Sequence, residues 1–271
     1  MLPASQRRFF LTKPNNFKIA YSINPWMNPK NKVNQAVAKK QWESLLETYQ
    51  KVGAQVEVFE DIKGWPDSVF GGDSVFLYGN EAFASRFRHP ERSGEAEPMV
   101  ERFRERGYTV HYPPDGAFFE GNGEAIAWNG MIFGGYGVRS DRKAIEFIGE
   151  TLGVKTLPIR VMPPHFHIDT VLCPLSDDLL AYVPSGMDED SQAAVEKLGV
   201  KLISIDQEEA LLLACNAMAL DKNVIVSTHK SPKFDEELKK AGFEVLPLDL
   251  SEFAKSGGGA KCLTLEAYQA Q

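Results

Sequence analysis

The stretch AIAWNGMIF, residues 125–133, places the dipeptide Asn129-Gly130 between two short apolar runs. Asn-Gly favours a two-residue β-hairpin turn, because both residues accept the positive φ angles that such a turn requires. Apolar residues at helical spacing follow in Asp141–Leu152, and a further strand is predicted at Lys155–Pro158. The stretch therefore predicts a unit in which two antiparallel strands precede a helix and a third strand.

The same order of predicted elements recurs about five times along the 271 residues. Strands at Phe17–Ser22 and Gln55–Phe59 flank the first helix, and Cys262 opens a last strand that begins the unit again. Self-similarity at a fixed period is typical of propeller-like arrays, and no low-complexity linker divides the chain. We therefore expect a single α/β domain over residues 1–271. The predicted helices are Val33–Val52, Glu95–Arg106, Asp141–Leu152, Asp190–Leu198 and Pro232–Ala241.

A polar residue stands just before the first strand of each repeated unit. These residues follow one another at nearly constant intervals: Asp73, Glu120, His167, Asn216 and Cys262 (120 − 73 = 47, 167 − 120 = 47, 216 − 167 = 49 and 262 − 216 = 46). If the units surround a pseudo-symmetry axis, equivalent positions converge on one centre. We therefore expect two acids, an imidazole, an amide and a thiol to meet there. Coincidence is the alternative, since five polar residues can be selected from any chain.

The candidate nucleophile is Cys262, which ends a glycine-rich segment. The glycines Gly257–Gly259 allow a tight turn that presents the thiol at the start of a strand. A cysteine attacks as its thiolate, so it needs a base or a positive neighbour, and His167 is the candidate general acid and base. Glu120 would orient the imidazole and contact the substrate. A lone cysteine is, however, more often an inert buried residue, and a histidine more often a hydrogen-bonded core residue.

Two further acids, Asp73 and Asp169, would oppose a thiolate unless the ligand is a cation. A planar guanidinium group suits them, because carboxylates bind its N–H groups in pairs. Arg92 follows Asp73 by 19 residues (92 − 73), and Arg139 follows Glu120 by the same interval (139 − 120). The repeated offset predicts two arginines at the rim of the centre, where they would bind a substrate carboxylate.

A metal site is the alternative use of the same residues. On a strand, His165, His167 and Asp169 would share one face, and Cys262 would be a fourth ligand. We favour a site without metal, because the chain has only five histidines and no second His or Cys pair with ligand spacing.

Composition limits the classes of partner. The net charge of −7 disfavours nucleic acid and anionic membranes. No apolar run reaches the ~18 residues of a membrane helix, and the first residues lack the apolar core of a signal peptide. Three cysteines, Cys173, Cys215 and Cys262, are too few for a disulfide framework, so a reduced, cytoplasmic setting is expected.

Taken together, the motifs resemble the guanidino-group-modifying enzymes of the pentein superfamily. The resemblance implies a five-bladed α/β propeller of pseudo-fivefold ββαβ repeats around a central site. It implies a small guanidino substrate, no metal and no organic cofactor, and a homodimer is common in the family. Four segments carry the resemblance in the family's order and over nearly the whole chain: Pro66–Phe70 with Asp73, Phe119–Gly123, Phe166–Thr170 and Gly257–Cys262.

The resemblance also implies a role for each candidate residue. Cys262 would attack the guanidinium carbon and form a covalent thiouronium intermediate, and His167 would protonate the leaving amine and then activate water. Glu120 would bind the guanidinium or align His167. Substrate binding would fall to the acids Asp67, Asp73 and Asp169, to Phe70, and to Arg92 and Arg139 at the positions that hold the substrate carboxylate.

The residues leave the substrate open. The resemblance implies a hydrolase of arginine or a close analogue, with a ureido product and ammonia or an amine. Asp169 resembles enzymes that take unsubstituted guanidinium, and also the amidinotransferases, whereas Pro66–Phe70 and the chain length resemble dimethylarginine dimethylaminohydrolases. Gly72 departs from the pattern, since many relatives place an acid or amide there. A citrulline-type ureidohydrolase, and a protein that binds a guanidino ligand without turnover, are further alternatives.

Overall fold

The computed structural model describes residues 1–227 and 231–270, and its strands form five three-stranded units of one topology. In each unit, the middle strand is antiparallel to the first strand and parallel to the third. The strands are β1 (Arg8–Thr12), β2 (Gln55–Phe59), β3 (Val75–Tyr78), β4 (Glu81–Ala84), β5 (Thr109–His111), β6 (Ala125–Trp128), β7 (Met131–Tyr136), β8 (Lys155–Arg160), β9 (Leu172–Pro174), β10 (Leu179–Tyr182), β11 (Lys201–Ser204), β12 (Met218–Leu220), β13 (Asn223–Val226), β14 (Glu244–Pro247) and β15 (Thr264–Tyr268).

The first unit is completed by the last strand of the chain. Strand β15 pairs with β1 in antiparallel register, with Thr264 opposite Leu11. It also pairs in parallel with β3, and this joins two units into one six-stranded sheet of order β2-β1-β15-β3-β4-β5. The remaining three units are three-stranded sheets. The restart of the unit after Cys262, predicted from the sequence, is therefore present as β15.

A helix connects the second and third strands of each unit. Asn34 caps the first of these helices by accepting a hydrogen bond from the Val37 N–H, and Gly153 ends another with a left-handed φ of 64°. Shorter helices precede β6 and flank β12 to β14 along the chain. The helices are α1 (Gln35–Lys51), α2 (Ala96–Arg104), α3 (Gly121–Glu124), α4 (Arg142–Leu152), α5 (Glu189–Glu196), α6 (Gln207–Ala210), α7 (Pro232–Lys240) and α8 (Ser251–Ala254).

The hairpin from which the sequence analysis began has the expected geometry. Trp128 pairs with Met131, and the two turn residues have positive φ angles, 47° at Asn129 and 72° at Gly130. This is the combination that an Asn-Gly hairpin turn favours. None of the helices in the described part of the chain is long and apolar enough to cross a membrane.

The predicted strand at Phe17–Ser22 is wrong. That segment has no strand hydrogen bonds, and the strand of the first unit lies earlier, at Arg8–Thr12. Phe17 is buried and stacks on Phe253 with ring centroids 5.0 Å apart, and Ile19 is buried as well. The alternation of apolar residues therefore reflects an extended segment that packs against the core without a ladder partner.

Candidate active site

The five polar residues that precede the first strands are buried side by side. Asp73, Glu120, His167, Asn216 and Cys262 are each at most 4% exposed, and side-chain contacts join them. His167 contacts Glu120 and Asp73, while Asn216 contacts Cys262. Equivalent positions in the five units therefore do meet in one region.

Cys262 lies between a carboxylate and an amide. Its Sγ is 3.2 Å from Asp169 Oδ2 and accepts a hydrogen bond of 3.0 Å from Asn216 Nδ2. The Asn216 Oδ1 atom accepts hydrogen bonds from the backbone N–H groups of Cys262 and Gly259. Asn216, to which the sequence reasoning gave no role beyond its position, thus fixes both the thiol and the loop that carries it.

The thiol is neutral in the ligand-free protein. Burial, and then the carboxylates of Asp169 and Asp73, raise the pKa of Cys262 well above its ordinary value. The hydrogen bond from Asn216 favours the thiolate but does not outweigh them. A cation bound beside these carboxylates would offset their negative charge and so promote formation of the thiolate.

His167 is held between two acids. Its Nε2 lies 2.8 Å from Glu120 Oε2, and its Nδ1 lies 3.8 Å from Asp73 Oδ1. Burial by itself would lower the pKa of His167, but Asp73 and Glu120 overcome that effect and raise it to about 9. The imidazole is therefore a cation near neutral pH, which is the form that donates a proton.

Both predicted arginines are ion-paired within the cluster instead of lying free at its rim. Arg92 donates to Asp73 Oδ2 at 2.7 Å and also to Glu95, and Arg139 donates to Glu120 Oε2 at 2.9 Å. The two guanidinium groups are almost wholly buried. The physical reason is charge balance, because buried carboxylates require nearby cations. Burial tends to raise the pKa of Glu120, yet Arg139 and His167 lower it below its usual range.

A small cavity of about 290 Å³ of empty space adjoins the thiol. Asp67 and Phe70 lie in its wall, and Asp67 Oδ2 accepts a hydrogen bond of 2.8 Å from the Tyr21 hydroxyl. Its walls thus combine acids, arginines and aromatic rings, which are the groups expected around a guanidino amino acid. The lining residues are Ile23, Asn24, Asp67, Phe70, Asp73, Arg92, Arg139, Phe166, Ser256, Gly257, Gly258 and Cys262.

Two glycines leave room for this arrangement. A Cβ atom at Gly123 would lie 2.8 Å from both Asp73 Oδ1 and His167 Nδ1, and one at Gly258 would lie 2.4 Å from the Phe70 ring. Both distances are too short for non-bonded atoms. The Phe119–Gly123 motif and the glycine run before Cys262 are therefore required by close packing at the site.

The alternative metal site is not assembled. No group of three or more His, Cys, Asp or Glu side chains with metal-binding geometry occurs in residues 1–227 and 231–270. His165 is buried 6.3 Å, ring to ring, from Trp26. The four residues His165, His167, Asp169 and Cys262 therefore do not form such a group.

Sequence reasoning missed two buried residues, Glu95 and Glu124, and the half-buried Tyr21 at this site. Glu95 accepts a hydrogen bond from Arg92, and the Tyr21 hydroxyl donates one to Asp67. Glu124 accepts a hydrogen bond from the Ile168 N–H beside His167. Glu124 precedes β6 by a single position, four residues after Glu120, so helical spacing on the Gly121–Glu124 turn was an available signal. Tyr21 and Glu95 stand outside the repeated positions, and no pattern singled them out.

The buried titrating groups predict that stability falls as the pH rises from about 5 to about 9. Burial raises the pKa of Asp169 to about 6, of Glu95 to about 7 and of Glu124 to about 8. For these acids and for His167, the folded state binds protons more tightly than the unfolded state does. Stability from each group is complete below its unfolded pKa and is lost as the pH rises through its folded pKa. Thermal unfolding midpoints at pH 5, 7 and 9 would measure the decline.

The Glu124→Gln variant is the control for this prediction. It keeps the shape of the side chain and cannot ionise, so its unfolding midpoint should fall less steeply between pH 4.5 and 8. An unfolding midpoint of the unaltered protein that stays level or rises over this range would contradict the assignment of these protonation states.

Comparison with known proteins identifies the family. A family model described as N,N dimethylarginine dimethylhydrolase, eukaryotic, matches residues 11–269. The chain belongs to this family. The resemblance to the guanidino-group-modifying superfamily, predicted from the four motifs, is thereby confirmed.

Two kinds of named enzyme are among the relatives of this dimethylarginine dimethylhydrolase family member. The N(G),N(G)-dimethylarginine dimethylaminohydrolase of Mycobacterium tuberculosis is 34% identical over 97% of the chain and 86% of its own length. The bifunctional arginine dihydrolase/ornithine cyclodeaminase ArgZ of Synechocystis is 35% identical over 98% of the chain, which spans only 38% of that relative's length.

A solved structure of ArgZ is also similar to this chain. The N-terminal domain of cyanobacterial ArgZ, as a cysteine-to-serine variant bound to substrate, superimposes on this family member with a TM-score of 0.91. The two are 33% identical, and the match covers 97% of this chain and 99% of that one. The match confirms the predicted α/β fold class.

Proposed function

We propose that the protein is a cysteine-dependent hydrolase of guanidino C–N bonds and that its substrate is arginine or a close analogue. The observation that carries this proposal is the position of the Cys262 Sγ, 3.2 Å from Asp169, at a cavity also lined by Asp67, Asp73, Arg92 and Arg139. A guanidino amino acid has a cationic planar head and a carboxylate, so it complements both kinds of charge in that cavity. Membership of the dimethylarginine dimethylhydrolase family supports the same reaction class.

The proposed mechanism begins with the neutral thiol and the imidazolium. A bound guanidinium offsets the carboxylates of Asp73 and Asp169, so the pKa of Cys262 falls, the thiol releases its proton to solvent and the thiolate forms. The sulfur bonds to the guanidinium carbon, and His167 gives its proton to the departing nitrogen as that C–N bond breaks. The neutral imidazole then takes a proton from water as the water oxygen bonds to the thiouronium carbon. The C–S bond breaks, the remaining hydroxyl proton passes to the sulfur, and the ureido product and the thiol are released.

Roles for the surrounding residues follow from their contacts. Glu120 orients His167 and stabilises its charged form, while Arg139 keeps Glu120 ionised. Asp73 and Asp169 face the guanidinium, and Phe70 and Asp67 form the cavity wall. Arg92 and Arg139 bind the substrate carboxylate through the N–H groups that their partners leave unused. Arg92 has one such group, on Nη1, because its other N–H groups donate to Glu95, Asp73 and the Asp67 carbonyl. Arg139 donates to Glu120 and to the Ile23 carbonyl.

Asp169 favours an unsubstituted guanidinium among the substrates that the family allows. Methyl groups would remove N–H donors and crowd a carboxylate that already lies against the nucleophile. Relatives named for arginine dihydrolysis and for dimethylarginine hydrolysis match almost equally well, so dimethylarginine is the second candidate substrate.

The overall arrangement forms part of the same proposal. We infer that the five units surround a pseudo-fivefold axis as one propeller domain over residues 1–271, since their equivalent residues Asp73, Glu120, His167, Asn216 and Cys262 converge. The three cysteines are free and buried, which supports a cytoplasmic setting. A homodimer is proposed from the resemblance alone.

A substrate screen with product analysis tests the function. Arginine, mono- and dimethylarginine, agmatine and citrulline are each incubated with the protein, and products are identified by mass spectrometry. We expect arginine to be consumed fastest, with release of ammonia and a ureido product. Ornithine together with two molecules of ammonia per arginine would indicate that hydrolysis proceeds through a second step.

Three other outcomes would contradict parts of this proposal. Faster release of dimethylamine than of ammonia would overturn the assignment of Asp169 as a selector for unsubstituted guanidinium. A rate that depends on added glycine or ornithine, with transfer of the amidino group to it, would identify an amidinotransferase. Tight arginine binding without product would identify a binding protein.

A further inference from the structure

A second and larger cavity lies at the far ends of the strands that carry the candidate active site. It contains about 830 Å³ of empty space, part of it open to solvent. The active-site residues precede the first strands of the units, whereas this cavity is lined by residues at or near the last positions of those strands. These are Tyr78, Trp128, Pro174, Ala219 and Tyr268. A strand rises ~3.3 Å per residue, so strands of three to five residues separate the two sites by roughly 10–15 Å.

A buried charged cluster lies in this cavity, which we call the rear cavity. Arg7 Nε donates to Glu266 Oε1 at 2.7 Å, and Arg7 Nη1 donates to the Ala219 carbonyl at 2.6 Å. Lys261 Nζ donates to the Tyr268 hydroxyl at 3.1 Å and lies 3.9 Å from Glu266 Oε2. Both cations are more than nine-tenths buried. Two cations thus share one carboxylate at this end of the strands.

Part of the donor capacity of these cations remains available. Within the described residues, the hydrogen bonds of Arg7 run from Nε and Nη1, and that of Lys261 runs to Tyr268. Arg7 Nη2 and the remaining N–H groups of Lys261 are therefore free to bind an acceptor in the cavity. Apolar side chains form most of the remaining wall, among them Leu2, Ile126, Met131, Leu172 and Met218.

We propose that the rear cavity is a second ligand site, which binds a small organic anion with its carboxylate between Arg7 and Lys261 and its apolar body against the surrounding wall. The charge balance favours an anion, because Arg7 and Lys261 carry two positive charges and Glu266 carries only one negative charge. A bound carboxylate would supply the second negative charge. The apolar surroundings strengthen that attraction because water screens it less. The proposal does not depend on the reaction at Cys262.

The rear cavity also has a direct connection to the thiol. Lys261 precedes Cys262 in the chain, and its backbone N–H donates to the carbonyl of Asn216, the residue whose amide holds the thiol. An anion that binds the Lys261 side chain would therefore affect the position of the loop that carries Cys262. Binding at the rear cavity is therefore expected to change the rate at which Cys262 is alkylated.

Hexanoate is a suitable probe, since it combines one carboxylate with a short apolar chain. Isothermal titration calorimetry should show one hexanoate bound per chain, with hexanamide and hexylamine weaker by about tenfold or more. Cys262→Ser protein saturated with arginine should still bind one hexanoate per chain, because the active site is a separate cavity. Hexanoate displaced by arginine, or hexanamide that binds as tightly as hexanoate, would overturn the proposal.

Two variants locate the site. Lys261→Met removes one cation, keeps the length of the side chain and leaves Glu266 paired with Arg7, and it should weaken hexanoate binding about tenfold. Ala127→Phe fills part of the cavity from a partly exposed position and keeps both cations, so it should also weaken binding. Circular dichroism checks that each variant is folded. Unchanged affinity in both variants, or no heat of binding at about 50 mM hexanoate, would refute the site.

Discussion

Replacement of Cys262 by serine is expected to lower the rate of guanidino hydrolysis by a factor of about 10⁴ or more while the fold is retained. The serine hydroxyl has a far higher pKa than a thiol, and the carboxylate of Asp169 beside it would oppose its ionisation further. Serine nevertheless fits the position, because it is slightly smaller and its hydroxyl can take the hydrogen bond that Asn216 donates. Ammonia release measures the loss, and thermal unfolding checks the fold.

Substrate binding should survive this change. The acids and arginines that line the cavity are unchanged in this variant, so arginine binding measured by calorimetry should be retained. Cys173→Ser is the matched control, since Cys173 is also buried and its Sγ can donate to the Ala217 carbonyl, as a hydroxyl would. That variant should keep its activity. Undiminished ammonia release from the Cys262→Ser protein would exclude this thiol as the nucleophile.

The second large effect is expected at His167. Replacement by asparagine removes the proton donor for the leaving nitrogen and should lower kcat by about 10³-fold. The ion pairs Arg139–Glu120 and Arg92–Asp73 remain, so the two acids keep their counter-charges and the fold should persist. The pH profile gives a further test. Because the pKa of His167 is about 9, activity of the unaltered protein should decline above that pH as the imidazolium loses its proton.

The pH profile distinguishes a catalytic group from a structural one. The residual activity of His167→Asn should show no decline near pH 9, whereas a merely structural role would lower the rate and leave the profile unchanged. His165→Asn serves as the control, because His165 is also fully buried but is absent from the lining of the cavity. A His167→Asn protein with the normal rate would mean that another group protonates the leaving nitrogen.

The sequence contained most of the information that places the site. The repeated order of strands and helices, and the near-constant intervals from Asp73 to Cys262, predicted which side chains converge, and these side chains lie together in the structure. Intervals of this kind are informative because identical units impose identical geometry. The Asn129-Gly130 turn was equally informative about the hairpin of the repeated unit, because few pairs of residues accept two successive positive φ angles.

Other features required the three-dimensional arrangement. Hydrogen-bonding partners decide whether an alternating segment is a strand, and Phe17–Ser22 is paired with none of the described strands. The offset of 19 residues placed Arg92 and Arg139 in the cluster correctly but could not show that acids would neutralise them. Glu95 and Arg7 were not singled out, because their partners Arg92 and Glu266 are known only from the fold.

The pairing of β15 with β1 has a consequence for the order in which the protein matures. Thr264 and Leu11 are opposite each other although 253 positions separate them along the chain (264 − 11). During synthesis the ribosome delivers the partner of β1, and with it the proposed nucleophile Cys262, after the other four units have emerged. Contacts so distant in sequence form slowly. Activity should therefore appear only after the last strand has paired. An incomplete nascent chain would contain His167 and the acids but would lack the sulfur that attacks the substrate.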